Sequence, residues 1–265
     1  MHGIGNDYIY IDCMESEPAS PDALAREMAD RHKGVGGDGI VLICPSEAAD
    51  FRMRIFNADG SEARMCGNAS RCIAKYVIDH GLTDRSEITL ETLSGIRRLT
   101  ARKGADGKVE SVTVDMGRPE AGAVDMPLRL ADGSEYRLTA VSMGNPHGVM
   151  LTDDLTDAMV LGRGPELENH PAWPDRANIE FARVEAPDRI TMRVWERGSG
   201  ETMACGTGAC ATLVAAATAG RTGRRATISL PGGCLDIEWL PESEGGRVMM
   251  TGPAAEVFSG TYLRR

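Results

Sequence analysis

The composition of this 265-residue chain is that of an ordinary globular protein, with 42% hydrophobic and 26% charged residues. A formal net charge of −10 at pH 7 argues against a nucleic-acid-binding surface, because such surfaces normally carry a basic stripe. No apolar run is long enough to span a membrane and no signal peptide is recognisable, so we expect a cytoplasmic protein that does not bind membranes.

The seven cysteines do not form a pattern typical of disulfides. Their number is odd and their spacing irregular, whereas secreted disulfide-rich domains have an even, regular set. No Cys-x-x-Cys pair is present, so we predict no metal site. We therefore expect free thiols, most of them packed in the core as small hydrophobic side chains.

The first half is predicted to contain a glycine-rich loop, strands and two helices. The predicted ranges are 2–7 for the loop, 8–12, 40–43, 52–56, 88–92, 97–101 and 112–115 for strands, and 69–79 for the main helix. Ser20-Pro21-Asp22 marks the start of the other helix, with a cap residue followed by proline. The glycines at 34–39 precede a strand and do not follow one, which argues against a dinucleotide-binding fingerprint.

The second half repeats this style after a boundary at 117–127, so we predict domains 1–120 and 121–265. Strands are predicted at 137–141, 149–151, 179–184, 190–195, 227–230, 235–239 and 248–251, with a Pro- and Gly-rich connection over 161–175 and a helix after Cys205. Strands outnumber helices in each half, and each half has one strongly apolar helix. The predicted fold class is α/β (α+β), with each domain a curved mixed sheet or barrel around a central helix.

The two halves are related by an internal repeat. When the chain is shifted by 139 positions (205 − 66), Met53–Asn57 aligns with Met192–Glu196, and Cys66-Gly67 aligns with Cys205-Gly206. The same shift places the Gly-Asn pair at 5–6 on the pair at 144–145. This period is much longer than that of a solenoid repeat, so it predicts two pseudo-symmetric domains.

Cys66 and Cys205 each precede an apolar helix, and this placement favours a chemical role. The positive end of a helix dipole lowers a thiol pKa from about 8.5 toward neutrality. The unpaired N–H groups of the first turn also bind anions such as a carboxylate. If the two domains face each other, the thiols would approach one carbon from opposite sides of an inter-domain cleft. One could then remove a proton and the other return it with inversion.

Five motifs, found in order along the chain, resemble those of the diaminopimelate epimerase family. They occupy residues 2–7, 56–68, 143–147, 178–181 and 195–208. The resemblance implies two pseudo-symmetric α/β domains and a cofactor-independent enzyme that interconverts LL- and meso-diaminopimelate for lysine and peptidoglycan biosynthesis. It implies a small-molecule substrate and no metal, and it allows a homodimer.

The resemblance also implies roles for individual residues. Cys66 and Cys205 match the catalytic acid and base, and His147 and Glu196 match groups that adjust their protonation. The positions that match the backbone cradle for the reacting carboxylate are Gly67, Asn68, Gly206 and Thr207, and those that match substrate contacts are Asn6, Asn57, Asn145, Asn178, Glu196 and Arg197. Arg197 is the natural bidentate partner for the distal carboxylate. Gly39 is a departure, since some members carry a substrate-contacting glutamine there.

Two other interpretations remain open at this stage. A related racemase that needs no pyridoxal phosphate could act on histidine, proline or diaminobutyrate. Proline-racemase relatives usually carry histidine where this chain has Asn68, which together with Arg197 favours a substrate with a second amino-carboxylate end. A redox sensor that forms a Cys66–Cys205 disulfide would need no such polar set. In an enzyme the same disulfide would be an inactive form, so activity should require a reductant.

Overall fold

The computed structural model describes residues 1–263, which divide into two units. The first unit comprises Met1–Val114 with the residues that follow Thr251, and the second comprises Asp115–Thr251. The C-terminal residues belong to the first unit through contacts with its opening strand, where the backbones of His2 and Ala255 form a reciprocal pair of hydrogen bonds of 2.9 Å each.

The first unit is a mixed sheet packed against two helices. Its strands are β1 (His2–Gly3), β2 (Asn6–Asp12), β3 (Gly39–Cys44), β4 (Phe51–Asn57), β5 (Glu62–Ala63), β6 (Glu87–Thr92), β7 (Gly95–Lys103) and β8 (Val109–Gly117), and its helices are α1 (Pro21–Ala29) and α2 (Gly67–Asp79). Strands β2 and β3 pair in parallel, β3 and β4 antiparallel, β4 and β6 in parallel, and β6 and β7 antiparallel. Helix α2 packs against β1, β2 and β7.

From the end of its third strand onward, the second unit repeats the succession of elements of the first, and its first two strands precede this repeat. Its strands are β9 (Glu120–Ala121), β10 (Met126–Arg129), β11 (Glu135–Ser142), β12 (Pro146–Leu151), β13 (Asn178–Ala186), β14 (Arg189–Glu196), β15 (Gly200–Glu201), β16 (Arg225–Leu230), β17 (Gly233–Trp239) and β18 (Val248–Gly252), and its helices are α3 (Asp157–Glu168) and α4 (Gly206–Thr218). The pairing is again parallel for β12 and β13, antiparallel for β13 and β14, parallel for β14 and β16, and antiparallel for β16 and β17. The internal repeat is therefore a repeat of strand pairing as well as of sequence.

Helices α2 and α4 each pack against the sheet of their own unit, as the apolar patterns predict. Helix α4 is apolar around its whole circumference, and its residues from Gly208 to Ala216 are buried against β11, β12, β13, β16 and β17. Full burial of side chains such as Leu213 and Val214 contributes about 1.5–3 kcal/mol each. The α/β class and the mixed sheet with few helices are confirmed.

Helix α3 corrects the prediction of a Pro- and Gly-rich connection over 161–175. Thr156 caps this helix, since its side chain accepts a hydrogen bond from the N–H of Met159. The glycine at 164 is required by packing, because a Cβ there would lie 2.6 Å from the Trp195 ring. Pro165 lies within the helix and did not end it. The contact with Trp195 explains why residue 164 is glycine, whereas the sequence pattern alone indicates only a residue that disfavours a helix.

Two further elements differ from the sequence-based expectation. The segment 117–127, predicted as a boundary, contributes β9 and the start of β10. Strand β12 begins at Pro146, three residues earlier than predicted, so His147 lies in a strand and not in a turn. Across residues 1–263, none of the helices combines the length and apolar character needed to cross a membrane.

Gly39 is fixed by a close approach of two strands. A Cβ at this position would lie 2.0 Å from the carbonyl oxygen of Phe56, and φ is +151°. We expect Gly39→Ala to lower the free energy of unfolding by about 3 kcal/mol, because β3 and β4 must separate. The control is Gly107→Ala, where φ is +78° and nothing lies within 4 Å, with an expected loss of about 1 kcal/mol. Urea denaturation of both variants measures the difference, and equal losses would contradict the steric explanation.

Candidate functional site

The two cysteines singled out from the sequence occupy the same position in the two units. Cys66 is the N-cap residue of α2 and Cys205 is the N-cap residue of α4, each with extended backbone. The Cys66 sulfur accepts a hydrogen bond from the N–H of Ala69, and the Cys205 sulfur accepts one from the N–H of Gly208, both at 3.4 Å. The sulfur of each cysteine thus takes the place of the oxygen that normally caps a helix.

In the first unit, Asn6 lies beside the Cys66 thiol. Its Oδ1 is 3.4 Å from Cys66 Sγ and accepts a hydrogen bond of 3.4 Å from the side-chain amide of Asn68. Its Nδ2 donates to Asp38 Oδ2 at 2.7 Å, which fixes the amide with its oxygen toward the sulfur. Burial, followed by the charge of Asp7, raises the pKa of Asp38. The sequence reasoning missed Asp38, because its partner lies 32 residues away.

Arg71 is a second residue that the sequence reasoning missed. Its side chain is fully buried. Nη2 donates to Asn68 Oδ1 at 2.8 Å, Nε donates to the carbonyl of Pro253 at 3.1 Å, and Nη1 donates to the carbonyl of Gly67 at 3.4 Å. This arginine therefore ties the first turn of α2 to the C-terminal segment. The sequence did carry one indication of this role, because Arg71, five residues after Cys66, is a cation on the apolar face of a helix.

Asn57 lies at the end of β4 and bonds to residues other than Cys66 and Asn68. Its Oδ1 accepts a hydrogen bond from Tyr8 Oη at 3.2 Å, and its Nδ2 donates to Ser61 Oγ at 3.1 Å. The amide is therefore held in one orientation by a neighbouring strand and by its own loop.

In the second unit, acidic groups surround the Cys205 thiol. Glu196 accepts a hydrogen bond from Thr202 Oγ1, and Thr207 Oγ1 lies 3.6 Å from Cys205 Sγ. Burial of its carboxyl group raises the pKa of Glu196, although hydrogen bonds with Thr202 and Cys205 work in the opposite direction. The repeat equivalent of Glu196 is Asn57, so the corresponding position in the first unit carries no charge.

The expectation that the helix dipole lowers the thiol pKa is wrong for Cys205. Burial raises its pKa well above the usual range, and the negative charges of Glu196 and Glu180 raise it further. Hydrogen bonds from Thr207 and from the N–H of Gly208 oppose this shift without overcoming it. A helix N-terminus contributes about 0.3–1 kcal/mol, which is less than the penalty for a desolvated thiolate beside two carboxylates.

His147 and Glu180 form a fully buried pair behind this thiol. His147 Nδ1 is 2.7 Å from Glu180 Oε1, and both side chains are 0% exposed. His147 Nε2 is 3.2 Å from Asn145 Oδ1, and Asn145 Nδ2 donates to Thr207 Oγ1 at 3.4 Å. Glu180 was not assigned a role from the sequence. Its signal was a carboxylate between the apolar residues 179 and 181 of a strand buried along most of its length.

Asn178 and Arg197 are also brought together in the second unit. Asn178 Oδ1 accepts a hydrogen bond from the backbone N–H of Arg197 at 2.9 Å. The Arg197 guanidinium is exposed and donates through Nη1 to the carbonyl of Asp175 at 2.8 Å. It lines an open cavity of about 540 Å³ together with Asn145 and Arg176. The cavity lining therefore combines two guanidinium groups and an amide, which suit a carboxylate-bearing ligand, with the side chain of Asp175.

Buried Glu168 holds the loop that carries Arg197, and it too was missed from the sequence. Its carboxylate accepts hydrogen bonds from Trp195 Nε1 at 2.8 Å, from the N–H of Gly198 at 2.9 Å, and from Arg176 Nη1 at 3.0 Å. Two of these donors, Trp195 and Gly198, flank Glu196 and Arg197 in the chain. Glu168 thus fixes the direction in which both side chains leave the end of β14.

The cysteine inventory agrees with the sequence-based expectation. All seven cysteines are free thiols, and most are buried, namely Cys13, Cys44, Cys72, Cys205 and Cys210. Cys234 is exposed and Cys66 is half-buried. Within residues 1–263, no cluster of three or more histidine, cysteine or acidic side chains is arranged to hold a metal ion.

The raised pKa of Glu196 leads to a prediction about stability and pH. The folded state holds the Glu196 proton more tightly than the unfolded chain, so stability is lost as pH rises above the ordinary value of 4.5. We expect Glu196→Gln to melt at a higher temperature than the unmodified protein at pH 8, with the difference shrinking toward pH 4. The exposed Glu238→Gln should show no such trend in thermal melts. A constant difference at every pH would contradict the assigned cause.

Comparison with known proteins identifies close relatives. Residues 1–121 and 139–257 match the family model described as Diaminopimelate epimerase. The chain is 52% identical over 270 residues to a diaminopimelate epimerase of Phocaeicola vulgatus, covering 98% of this chain and 95% of that protein. It is 53% identical over 261 residues to a diaminopimelate epimerase of Bacteroides thetaiotaomicron, with the same coverage of 98% and 95%.

Solved structures of more distant proteins share the fold. A probable proline racemase from Agrobacterium radiobacter K84 aligns with a TM-score of 0.67 at 18% identity, covering 95% of this chain and 88% of that one. A hydroxyproline epimerase from Agrobacterium vitis aligns with a TM-score of 0.68 at 18% identity, covering 95% and 87%. At this identity the likeness shows the fold alone.

Proposed function

Because the chain belongs to the diaminopimelate epimerase family, we propose that it interconverts LL- and meso-2,6-diaminopimelate without a cofactor. The reaction serves lysine and peptidoglycan biosynthesis, and we place it in the cytoplasm. One cysteine, as a thiolate, removes the α-proton. The other, as a thiol, delivers a proton to the opposite face of the carbon, and the two exchange roles in the reverse direction.

The observation that carries this proposal is the equivalence of Cys66 and Cys205. Each begins the central helix of its unit, and each is hydrogen-bonded by the third N–H of that helix. A reaction that exchanges the two faces of one carbon needs two such groups, and a repeat with matched thiols supplies them. A general acid or base of this kind contributes about 10²–10⁴-fold in rate.

The backbone N–H groups at the start of α2 and α4 give a reason for the acidity of the substrate carbon. Abstraction of an α-proton moves negative charge onto the adjacent carboxylate. Gly67, Gly206 and Thr207 lie in the first turns of α2 and α4, where an α-helix offers the backbone N–H groups no i−4 acceptor of its own. Donors fixed before the reaction stabilise this charge without reorganisation.

The environments of the two thiols differ, and the difference sets their resting roles. Cys205 is buried, and burial raises its pKa, with the nearby negative charges of Glu196 and Glu180 adding to the shift. Cys66 is half-buried beside the neutral amides of Asn6 and Asn68. We infer that Cys205 is the thiol in the ligand-free enzyme and delivers the first proton.

The distal end of the substrate requires recognition of a second amino-carboxylate. Arg197 uses Nη1 on Asp175 and has further N–H groups that can form a bidentate pair with a carboxylate. Asn145 lines the same cavity. Asn178 positions Arg197 through its backbone. Asn6, Asn57, Glu196 and Asn68 supply the remaining amide and carboxylate contacts in this proposal.

The test is proton exchange in D₂O with the reduced enzyme and no added pyridoxal phosphate or metal. LL-Diaminopimelate should lose its α-proton signal and give the meso isomer labelled at the inverted carbon. Histidine, proline and diaminobutyrate serve as comparison substrates. Exchange with one of these and none with diaminopimelate would refute the substrate assignment, whereas silence with all of them would refute the chemistry.

A further inference from the structure

We propose that Glu180 is a positioning residue that couples the protonation of His147 to that of Cys205 through a chain of hydrogen bonds. The chain runs from Glu180 to His147, then through Asn145 and Thr207 to the Cys205 sulfur. Its successive contacts measure 2.7, 3.2, 3.4 and 3.6 Å. The proposal rests on the assignment of Cys205 as a proton donor and acceptor.

The direction of each hydrogen bond depends on which nitrogens of His147 carry a proton, and two arrangements are consistent with the contacts. Glu180 Oε1 is a carboxylate oxygen, so His147 Nδ1 must donate to it. In the first arrangement Nε2 also donates, to Asn145 Oδ1, so that the imidazole carries both protons. Asn145 Nδ2 then donates to Thr207 Oγ1. The Thr207 hydroxyl proton is therefore free to be donated to Cys205, which favours the thiolate.

The chain has a second consistent arrangement with the opposite polarity. If His147 loses the proton on Nε2, that nitrogen becomes an acceptor and the Asn145 amide must turn to present Nδ2. Asn145 Oδ1 then accepts from the Thr207 hydroxyl. Thr207 Oγ1 in turn accepts from the Cys205 S–H, so the thiol is favoured. Loss or gain of one proton at the His147 imidazole thus exchanges donor and acceptor in each hydrogen bond from Nε2 to the Cys205 sulfur.

Glu180 holds one end of this chain from a fully buried position. Its side chain is 0% exposed. Its Oε2 has no hydrogen-bond partner within residues 1–263, a cost that a purely structural residue would normally avoid. The other ionisable groups around the chain are Glu196 at the end of β14 and Cys205 at the start of α4. Glu180 is the one whose carboxylate contacts the imidazole directly.

Coupling through the chain and direct repulsion by the Glu180 charge predict opposite shifts in the pH at which Cys205 forms the thiolate. If Glu180 acted on Cys205 only through its own negative charge, its removal would make the thiolate form at lower pH. If Glu180 acts by holding the second proton on His147, its removal will leave the thiol-favouring polarity and move thiolate formation to higher pH. If the pKa of the Cys205 thiol rises by one unit, the thiolate fraction at a fixed pH below that pKa falls roughly tenfold.

The experiment measures alkylation of Cys205 by iodoacetamide from pH 6 to 10, in the reduced full-length protein without substrate. Mass spectrometry of the cysteine peptides follows Cys205 and, as the internal reference, Cys66. We expect Glu180→Gln to react roughly tenfold more slowly at Cys205 at pH 8, with unchanged reaction at Cys66. Glu185→Gln, an exposed change on the same strand, should match the unmodified protein.

A second variant keeps the proposal testable if Glu180→Gln is poorly folded. Thr207→Val removes the hydroxyl at the other end of the chain and should slow Cys205 alkylation in the same direction. Cys205 alkylation in the variant that combines Glu180→Gln and Thr207→Val should be no slower than in the slower single variant. Both substitutions interrupt the same chain of hydrogen bonds, so their effects should not add. Faster reaction of Glu180→Gln, unchanged reaction, or additive losses would each overturn the coupling. Since no substrate is present, the result stands apart from whether the enzyme epimerises diaminopimelate.

Discussion

Cys66→Ala and Cys205→Ala should each abolish epimerisation of diaminopimelate, with turnover falling by at least about 10²–10⁴-fold because one proton-transfer group is missing. The remaining cysteine can still remove and return a proton on its own face. We therefore expect each variant to exchange the α-proton of one stereoisomer with D₂O while retaining configuration. The isomer that exchanges identifies the face served by the surviving thiol, and NMR with chiral chromatography measures both quantities.

The control for this pair is Cys234→Ser, which replaces an exposed thiol on β17. Its turnover should equal that of the unmodified enzyme. Cys66→Ser and Cys205→Ser would keep a capping atom at the helix start and separate helix stability from chemistry. If either alanine variant still formed the second isomer at a substantial rate, the two-thiol mechanism would be wrong.

Arg71→Met should cause the largest loss of stability among the site variants. It removes the donors for Asn68 Oδ1 and for the carbonyls of Gly67 and Pro253, all near a fully buried side chain. Hydrogen bonds from a charged group contribute about 1.5–3 kcal/mol each, so we expect a total loss of about 3–5 kcal/mol. Turnover should fall as well, because Asn68 loses the group that orients it.

Arg102→Met is the matched control. Arg102 has a side chain that is 67% exposed and pairs with Glu110 at the surface. Such exposed pairs contribute about 0–1 kcal/mol, so its unfolding should change little. Calorimetry of the two variants gives the comparison. Similar unfolding temperatures for Arg71→Met and Arg102→Met would show that the buried network contributes little.

The sequence predicts the elements whose pattern is local. The alternation of 52–56 and the apolar periodicity of 69–79 each identify an element from its own residues, and β4 and α2 confirm them. The position of Cys66 and Cys205 just before apolar segments likewise places them at helix starts. Helix α3 was missed because its glycine and proline read as breakers, whereas the contact of Gly164 with Trp195 depends on a strand 31 residues later (195 − 164).

Properties of the site that depend on distant partners were not accessible in this way. The pKa of Cys205 is governed by its burial and by Glu196 and Glu180, which only the folded sheet brings beside it. The position of Cys205 before a helix, taken alone, predicts a lowered pKa instead. Asp38, Glu168 and Arg71 were missed for the same reason. Each has an ordinary position in the sequence, and its role appears only when its partner is known.

The capping bonds of the two cysteines also bear on how this enzyme could change during evolution. Each sulfur is tied by an N–H of its own helix, at Ala69 in one unit and at Gly208 in the other. The position of each proposed proton carrier is therefore set by where its helix begins, and a different side-chain rotamer would break that bond. Substitutions in the packing of α2 or α4 can thus retune catalysis without altering any residue that touches the substrate. Conversely, residues around the substrate can diversify while the geometry of proton transfer is inherited unchanged.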